Sequence, residues 1–357
     1  MDKLRVGVIG VGGHGRNRHL VPYRRLEDVE LVAVADVNQD TARKVGEEFG
    51  VAHYVDYKEM LDKEKPDLVS VVTPTGLHAR IASDALKAGA DVLVDKPAGA
   101  NLREVMELFN LSREVRKRVM VGYWSRFSPA LSYVLSLARD GALGQVYHVS
   151  ASIVRRRGIP GLPTFIDKSL NGGRGALLDI GCYVIDNALA PLGFPPPRSV
   201  SGAIYSKIGV RREEVPLNWG SWDPSKFDLE DYAVALVKFD RFTMSLEVGW
   251  AANVSHQGEV TLVRILGDEG GVEMRGTEAI TDVTFHGVQA GHVVDVKPHL
   301  KKADLPFEMV REFVSSVREG RDPSPNLRES LILHAVIDGI YNSAEEGKEV
   351  TLTSLSG

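Results

Sequence analysis

Two hydrophobic patterns divide the chain. From Leu4 to about residue 122, short β-branched runs alternate with stretches whose apolar residues recur every three or four positions. The runs "LRVGVI", "VELVAVAD", "AHYV", "PDLVSVVT", "ADVLVD" and "RVMVGY" predict strands. Between them, "TARKVGEEFG", "YKEMLDKE", "HARIASDALKAG" and "NLREVMELFNLSREV" predict helices. Strands and helices in strict alternation predict a parallel, doubly wound sheet.

From about residue 123 the pattern changes. "SPALSYVLSLARDGALG" predicts a helix ending in glycines, and "QVYHVSASIV" a long alternating strand. The segment "RRRGIPGLPTFIDKSLNGGRG" reads as a loop. A single helix is expected from "ALLDIGCYVID" through "DNALAPLGF". Strands then dominate: "SVSGAIYSK", "DYAVALVKF", "FTMSLEVGWA", "EVTLVRILG", "GGVEMRG" and "HVVDVKP". Two amphipathic helices follow, "PFEMVREFVSSVREG" and "LRESLILHAVIDGIYNSAEEG". The expected fold class is therefore α/β. It comprises an N-terminal Rossmann-type parallel sheet and a C-terminal α+β domain with a large, mostly antiparallel open sheet. Helices should cover one sheet face. A second copy of the chain is the natural cover for the other, giving a homodimer or homotetramer.

Composition narrows the possible classes. At 357 residues the chain is too long for one ordinary core. The expected domains are 1–122, binding a dinucleotide, and 123–357, binding substrate and mediating assembly. The last helices are free to pack back on the first domain. A content of 43% hydrophobic and 25% charged residues is ordinary for soluble globular proteins. A net charge of −5 without a polybasic tract argues against a nucleic-acid partner. One cysteine forms no internal disulfide, no CxxC pair points to zinc, and no metal is expected. The start "MDKLRVGVIG" shows no signal pattern, and no apolar run approaches the roughly 20 residues of a membrane span. A cytoplasmic protein without a membrane partner is the expectation.

The candidate chemistry begins after the first strand. Gly10, Gly12 and Gly15 fit GxGxxG, with Gly13 and His14 inside the motif. This spacing at a strand-to-helix junction suits a pyrophosphate: one glycine permits the tight turn, one the close approach, one the helix–strand packing. Asp36 ends the second strand, 21 residues beyond Gly15. A carboxylate there can bind both ribose hydroxyls of NAD(H) and repel a 2′-phosphate, although it could instead cap the next helix. Val37 and Asn38 follow, with no arginine directly after them to welcome NADP(H). NAD(H) is expected to be preferred, with NADP(H) possible. Ligands of such sheets sit at the carboxyl ends of strands. That singles out Thr73, Pro74, His78, Asp95, Lys96, Pro97, Trp124 and Arg126.

Asp179, Tyr183 and Asp186 recur at four and three residues among apolar neighbours, with Cys182 between them. On one helix, Asp179 and Tyr183 would share a face. Asp186 could cap or pair with a basic residue, and Cys182 should face the core. Arg155, Arg156 and Arg157 could grip an anionic or hydroxylated ligand or form a solvated strand end. Trp219 and Trp222 could stack on a sugar or anchor a loop. Trp250, Asn253 and His256 follow a strand end near the expected cleft.

These segments together resemble the glucose–fructose oxidoreductase / inositol dehydrogenase / rhizopine catabolism (Gfo/Idh/MocA) family. The markers are the glycine motif, "VVTPTGLHA", "DKP", "GYWSRFSPAL", "GALGQV", "GGRGALLDIGCYVID" and "GDEGGVEM". The resemblance runs nearly end to end. It implies a dehydrogenase moving hydride between nicotinamide and a secondary alcohol of a sugar, sugar derivative or cyclitol. It also implies that Lys96 contacts the nicotinamide and the reacting oxygen and that Asp179 orients the substrate. The family's catalytic position four residues later is most often histidine and here is Tyr183. A nearby lysine and the oxidised nicotinamide ring would help a phenol act as base. Relatives that hydrolyse glycosides by transient oxidation, or that sense a sugar without catalysis, define the alternatives.

Overall fold

The computed structural model describes residues 2–211 and 220–352. The chain divides into two compact units, Met1–Trp124 with Asp304–Ser330, and Ser125–Ala303 with Leu331–Gly357.

The first unit is a six-stranded parallel sheet of β1 (Leu4–Ile9), β2 (Val29–Ala35), β3 (Ala52–Tyr54), β4 (Leu68–Val71), β5 (Asp91–Asp95) and β6 (Val119–Gly122). Its order is β3-β2-β1-β4-β5-β6, the doubly wound arrangement of dinucleotide-binding sheets. The sequence-predicted helices form, with ends within two residues of the expectation: Gln39–Phe49, Tyr57–Glu64, His78–Lys87 and Leu102–Glu114. β4 and β6 are buried throughout because helices cover both sheet faces, which is why these strands read as unbroken apolar runs. The helix after β1 starts at Gly13–Gly15, widens to a π-turn over Arg16–Leu20, and ends at Val21–Tyr23. The later helix Leu305–Arg318 packs against it. Arg25 pairs there with Asp304, and Arg318 Nε donates to Asp28 Oδ2 at 2.8 Å.

The second unit is built on nine strands: β7 (Val146–Arg155), β8 (Ser199–Tyr205), β9 (Tyr232–Lys238), β10 (Thr243–Gly249), β11 (Glu259–Gly267), β12 (Gly270–Gly276), β13 (Ile280–Gln289), β14 (His292–Val296) and β15 (Val350–Thr351). Their order is β14-β13-β12-β11-β7-β10-β9-β8-β15. Only the β7–β10 pair is parallel, so the sheet is mostly antiparallel, as expected. Val149, Ala151 and Ile153 of β7 share a buried face with Met244, Leu246 and Val248 of β10. Helices Pro129–Arg139 and Gly181–Leu189 pack on the sheet. The other alternation crosses the sheet in register as Leu236, Ser245, Ser150, Arg264, Glu273 and Thr284. These positions are half-buried or exposed.

Four expectations need correction. The segment read as a loop contains two one-turn helices, Pro163–Ile166 and Lys168–Asn171. Asp167 ends one and caps the next, its carboxylate accepting from Ser169 N at 2.9 Å. The single helix expected from Ala176 is two, Ala176–Asp179 and Gly181–Leu189, divided at Ile180. The helical stretches on either side meet at 50°. β13 was not foreseen because its exposed positions break the apolar alternation. β15 is two residues long, too short for a periodic signal. Among the described residues no single helix is long and apolar enough to cross a membrane.

Candidate active site

In the first unit the glycines have distinct jobs. Gly10 has φ +87°, and a Cβ there would lie 2.3 Å from Val72 O. A Cβ on Gly15 would lie 2.0 Å from Gly10 O. Neither position tolerates a side chain. Gly12 and Gly13 have nothing within 4 Å of a would-be Cβ, so their backbone borders open space. That suits a bulky phosphate at the start of a helix, where amides point outward.

Asp36, just past β2, faces this loop. Its Oδ2 accepts from Val11 N at 3.0 Å and its Oδ1 from Asn38 N at 2.9 Å. Asn38, rather than Asp36, caps the following helix, accepting from Thr41 N at 3.0 Å. Val37 stands 89% exposed between them. Open glycine amides and a pinned carboxylate at the neighbouring strand end fit a dinucleotide.

The ends of β4 and β5 are tied together by His78. Its Nδ1 lies 2.7 Å from Pro97 O and its Nε2 2.6 Å from Thr73 O. Both nitrogens lie against backbone carbonyls, and a neutral ring donates to one of them, so His78 packs between the segments carrying Pro74 and Lys96. Burial pushes its pKa down, against the pull of Asp95 and the two carbonyls. Lys96 follows the last residue of β5. Beside it, Asp95 Oδ2 pairs with His14 Nε2 at 3.1 Å. Burial would raise the Asp95 carboxyl, but His14 first, and then its other basic neighbours, hold it well below the usual range. His19 Nδ1 meets Ser70 Oγ at 3.2 Å, and Ser70 Oγ meets Tyr23 OH at 3.0 Å. One donor atom from each of His14, His19 and Asp95 lies within 4.8 Å of the others, a set able to ligate a metal. The His14–Asp95 hydrogen bond already uses two of these groups. Trp124 is covered by the Arg18 guanidinium, 4.0 Å from its ring centroid.

In the second unit, Asp179 ends its helical turn and Tyr183 lies within the next helix, buried. Because Ile180 interrupts the helix, their relation is set by a bend and not by a continuous face. Cys182 is buried and its Sγ donates to Asp179 O at 3.3 Å. Asp186 takes the basic-partner role: Arg126 Nε donates to its Oδ2 at 2.9 Å in a buried ion pair. Arg126 also lies over the Phe194 ring, with its guanidinium carbon 5.0 Å from the centroid.

The remaining candidates make contacts within the fold. Arg155 is neither a free grip nor a solvated end. It is buried, donating to Glu259 Oε2 at 2.6 Å and to Gly158 O at 3.2 Å, because Glu259 stands opposite it in register. Arg157 donates to Ala252 O at 3.0 Å and to Asn253 Oδ1 at 2.8 Å. His256 Nε2 bonds Val154 O at 3.1 Å. Trp222 anchors its loop through Nε1 to Gly209 O at 2.7 Å and against Phe227. Trp219 lies outside the described residues. Trp250 is 1% exposed, and its indole Nε1 donates to Asp179 Oδ2 at 2.9 Å.

Sequence reasoning missed Glu230. Its carboxylate accepts from Gly175 N at 2.9 Å and Leu177 N at 3.1 Å, capping the Asp179 turn from a distant strand end, and from Tyr341 OH at 2.6 Å. Burial raises its pKa against these bonds. The only signal was an acidic pair, Glu230-Asp231, directly before a strand.

A doubly wound dinucleotide-binding sheet joined to a large open-sheet unit defines a class of two-unit oxidoreductases. Residues 4–123 match the model described as oxidoreductase family, NAD-binding Rossmann fold, and residues 132–273 match the GFO/IDH/MocA C-terminal domain. The chain belongs to the Gfo/Idh/MocA family of oxidoreductases. It is 30% identical over 353 residues to D-glucoside 3-dehydrogenase of Escherichia coli (strain K12), covering 98% of this chain and 97% of that protein. The structure of GenD2 from gentamicin A biosynthesis, in complex with NAD, matches with a TM-score of 0.79 at 25% identity, covering 99% and 97%. Levoglucosan dehydrogenase in complex with NADH and levoglucosan shares the fold, with a TM-score of 0.83 at 22% identity over 99% and 100%.

His19 yields a stability prediction. It is fully buried, and burial holds its pKa at about 4 against an ordinary 6.5. Between those values the unfolded chain binds a proton that the folded chain refuses. Stability should therefore fall as pH drops from 6.5 towards 4, by about 3 kcal/mol at most. His19→Gln cannot titrate. Urea unfolding at pH 7 and pH 4.5 should show a smaller loss for His19→Gln than for the parent, and equal losses would count against a neutral buried His19.

Proposed function

We propose that the protein is an NAD-dependent dehydrogenase acting on a secondary alcohol of a sugar or glycoside. The observation that carries this reading is the end-to-end likeness to a D-glucoside 3-dehydrogenase, and the motif resemblance supports Lys96, Asp179 and Tyr183 as the residues that carry the chemistry. NAD, when bound, supplies the hydride acceptor. The chain's own residues would do the rest. Gly12 and Gly13 receive the pyrophosphate and Asp36 the ribose hydroxyls. Lys96 meets the reacting oxygen, Asp179 accepts a hydrogen bond from a substrate hydroxyl, and Tyr183 takes the hydroxyl proton. A phenol has an ordinary pKa near 10, so the oxidative rate should rise with pH.

A test is incubation with NAD+ and a methyl glucoside, levoglucosan or myo-inositol, following NADH. Tyr183→Phe keeps the ring and should lower kcat by about 10²- to 10⁴-fold while NADH binding is retained. A variant within about threefold of the parent, far under that range, would take the proton role from Tyr183.

Asp36 supports a preference for NAD(H), since its fixed charge opposes a 2′-phosphate. NADP+ should give the lower kcat/KM, and Asp36→Ser should narrow the gap. Equal use of both by the parent would contradict this.

The exposed alternation of the nine-stranded sheet, with Leu236 43% exposed, supports a second copy as its cover. Light scattering at micromolar concentration should give the mass of a dimer or tetramer. A monomer would overturn the assignment.

A further inference from the structure

Asp179 is held from two directions. Trp250 directly follows β10, and its backbone is fixed on both sides: its N donates to Asp231 O at 2.9 Å, and its O accepts from Gly158 N at 2.8 Å. The buried indole then donates to Asp179 Oδ2 at 2.9 Å. From the other direction, Glu230 accepts from the amides of Gly175 and Leu177 at the start of the same turn. A Cβ on Gly175 would lie 2.1 Å from Glu230 O, so that turn sits hard against the strand entry. The adjacent pair Glu230-Asp231 therefore anchors both supports, one through a side chain and one through a carbonyl.

We propose that Trp250 is a positioning residue for Asp179 and not a substrate contact. The proposal rests on the reading of Asp179 as the substrate-orienting carboxylate. An indole N–H donates and cannot accept, so it favours the ionised carboxylate as partner. It also carries no charge, so it holds one oxygen without neutralising the group, as a lysine or arginine would. A rigid, buried ring fixes the plane of the carboxylate, and with it the direction in which a substrate hydroxyl is received.

Trp250→Phe keeps an aromatic ring and removes the donor. Its kcat should fall about tenfold or more, the usual worth of a hydrogen bond to a charged group, with a smaller change in KM. NADH binding should be unchanged. In the Asp179→Asn background the same substitution should cost less than about twofold, because the partner is already altered. A Trp250→Phe enzyme with parental kcat, or a full-sized loss repeated in the Asp179→Asn background, would overturn the proposal. A second measurement does not depend on Trp250→Phe folding. The chain has four tryptophans, so its indole ¹H–¹⁵N signals are few. Asp179→Asn should move one of them, that of Trp250, upfield, and an unmoved spectrum would refute the contact. Parental turnover by Asp179→Asn would sink the reading of Asp179, even where the indole signal moves and the contact stands.

Discussion

A carboxylate taken out of water must be given donors, and much of the second unit is arranged to supply them. An unpartnered buried charge costs several kcal/mol, enough to consume a large share of a domain's net stability. Asp231, fully buried, accepts from the backbone amides of Lys207, Ile208 and Gly209. Glu230 accepts from Gly175, Leu177 and Tyr341. Asp186 takes the Arg126 guanidinium, and the half-buried Asp179 takes the Trp250 indole. Glu230, Asp231 and Asp179 each close a long-range link at the end of a sheet strand, and Asp186 ties its helix to the short turn that carries Arg126. The satisfied network fixes where the helix pair around Ile180 sits, and so where Asp179 and Tyr183 are presented.

The first unit meets a different constraint, the close approach of backbone to backbone. Gly10 against Val72 and Gly15 against Gly10 leave no room for a side chain, while Gly12 and Gly13 face open space. The same short loop is thus tight where it is structural and open where a ligand would lie. Asp36 is pinned by amides from the loop and from Asn38, which presents its charge with little conformational freedom to lose on binding. His78 sits between two strand-end segments, with one ring nitrogen against a carbonyl of each. In both units, side chains first suggested by their chemistry turn out to hold backbone in place.

The strands β11 and β12 end where their hydrophobic alternation ends, and the parallel sheet follows from the strict succession of apolar runs and amphipathic helices. The glycine spacing and the acid after β2 were equally plain, because they depend on local backbone geometry and short sequence distance. β13 escaped notice because it lies near one end of the sheet order with many positions exposed. The break at Ile180 is not legible because its neighbours Asp179 and Gly181 stand singly within an otherwise apolar stretch, and no proline or run of polar residues marks it. By itself, then, the sequence determined the α/β class, the two kinds of sheet and the family resemblance, and it singled out the glycine loop, acids and tyrosine proposed to carry the chemistry. Only the tertiary structure decided what those side chains touch. Arg155 met Glu259 across a strand register, and Trp250 met Asp179 across 71 positions of chain. Such pairings are settled by where folding brings distant segments together, which no local periodicity encodes.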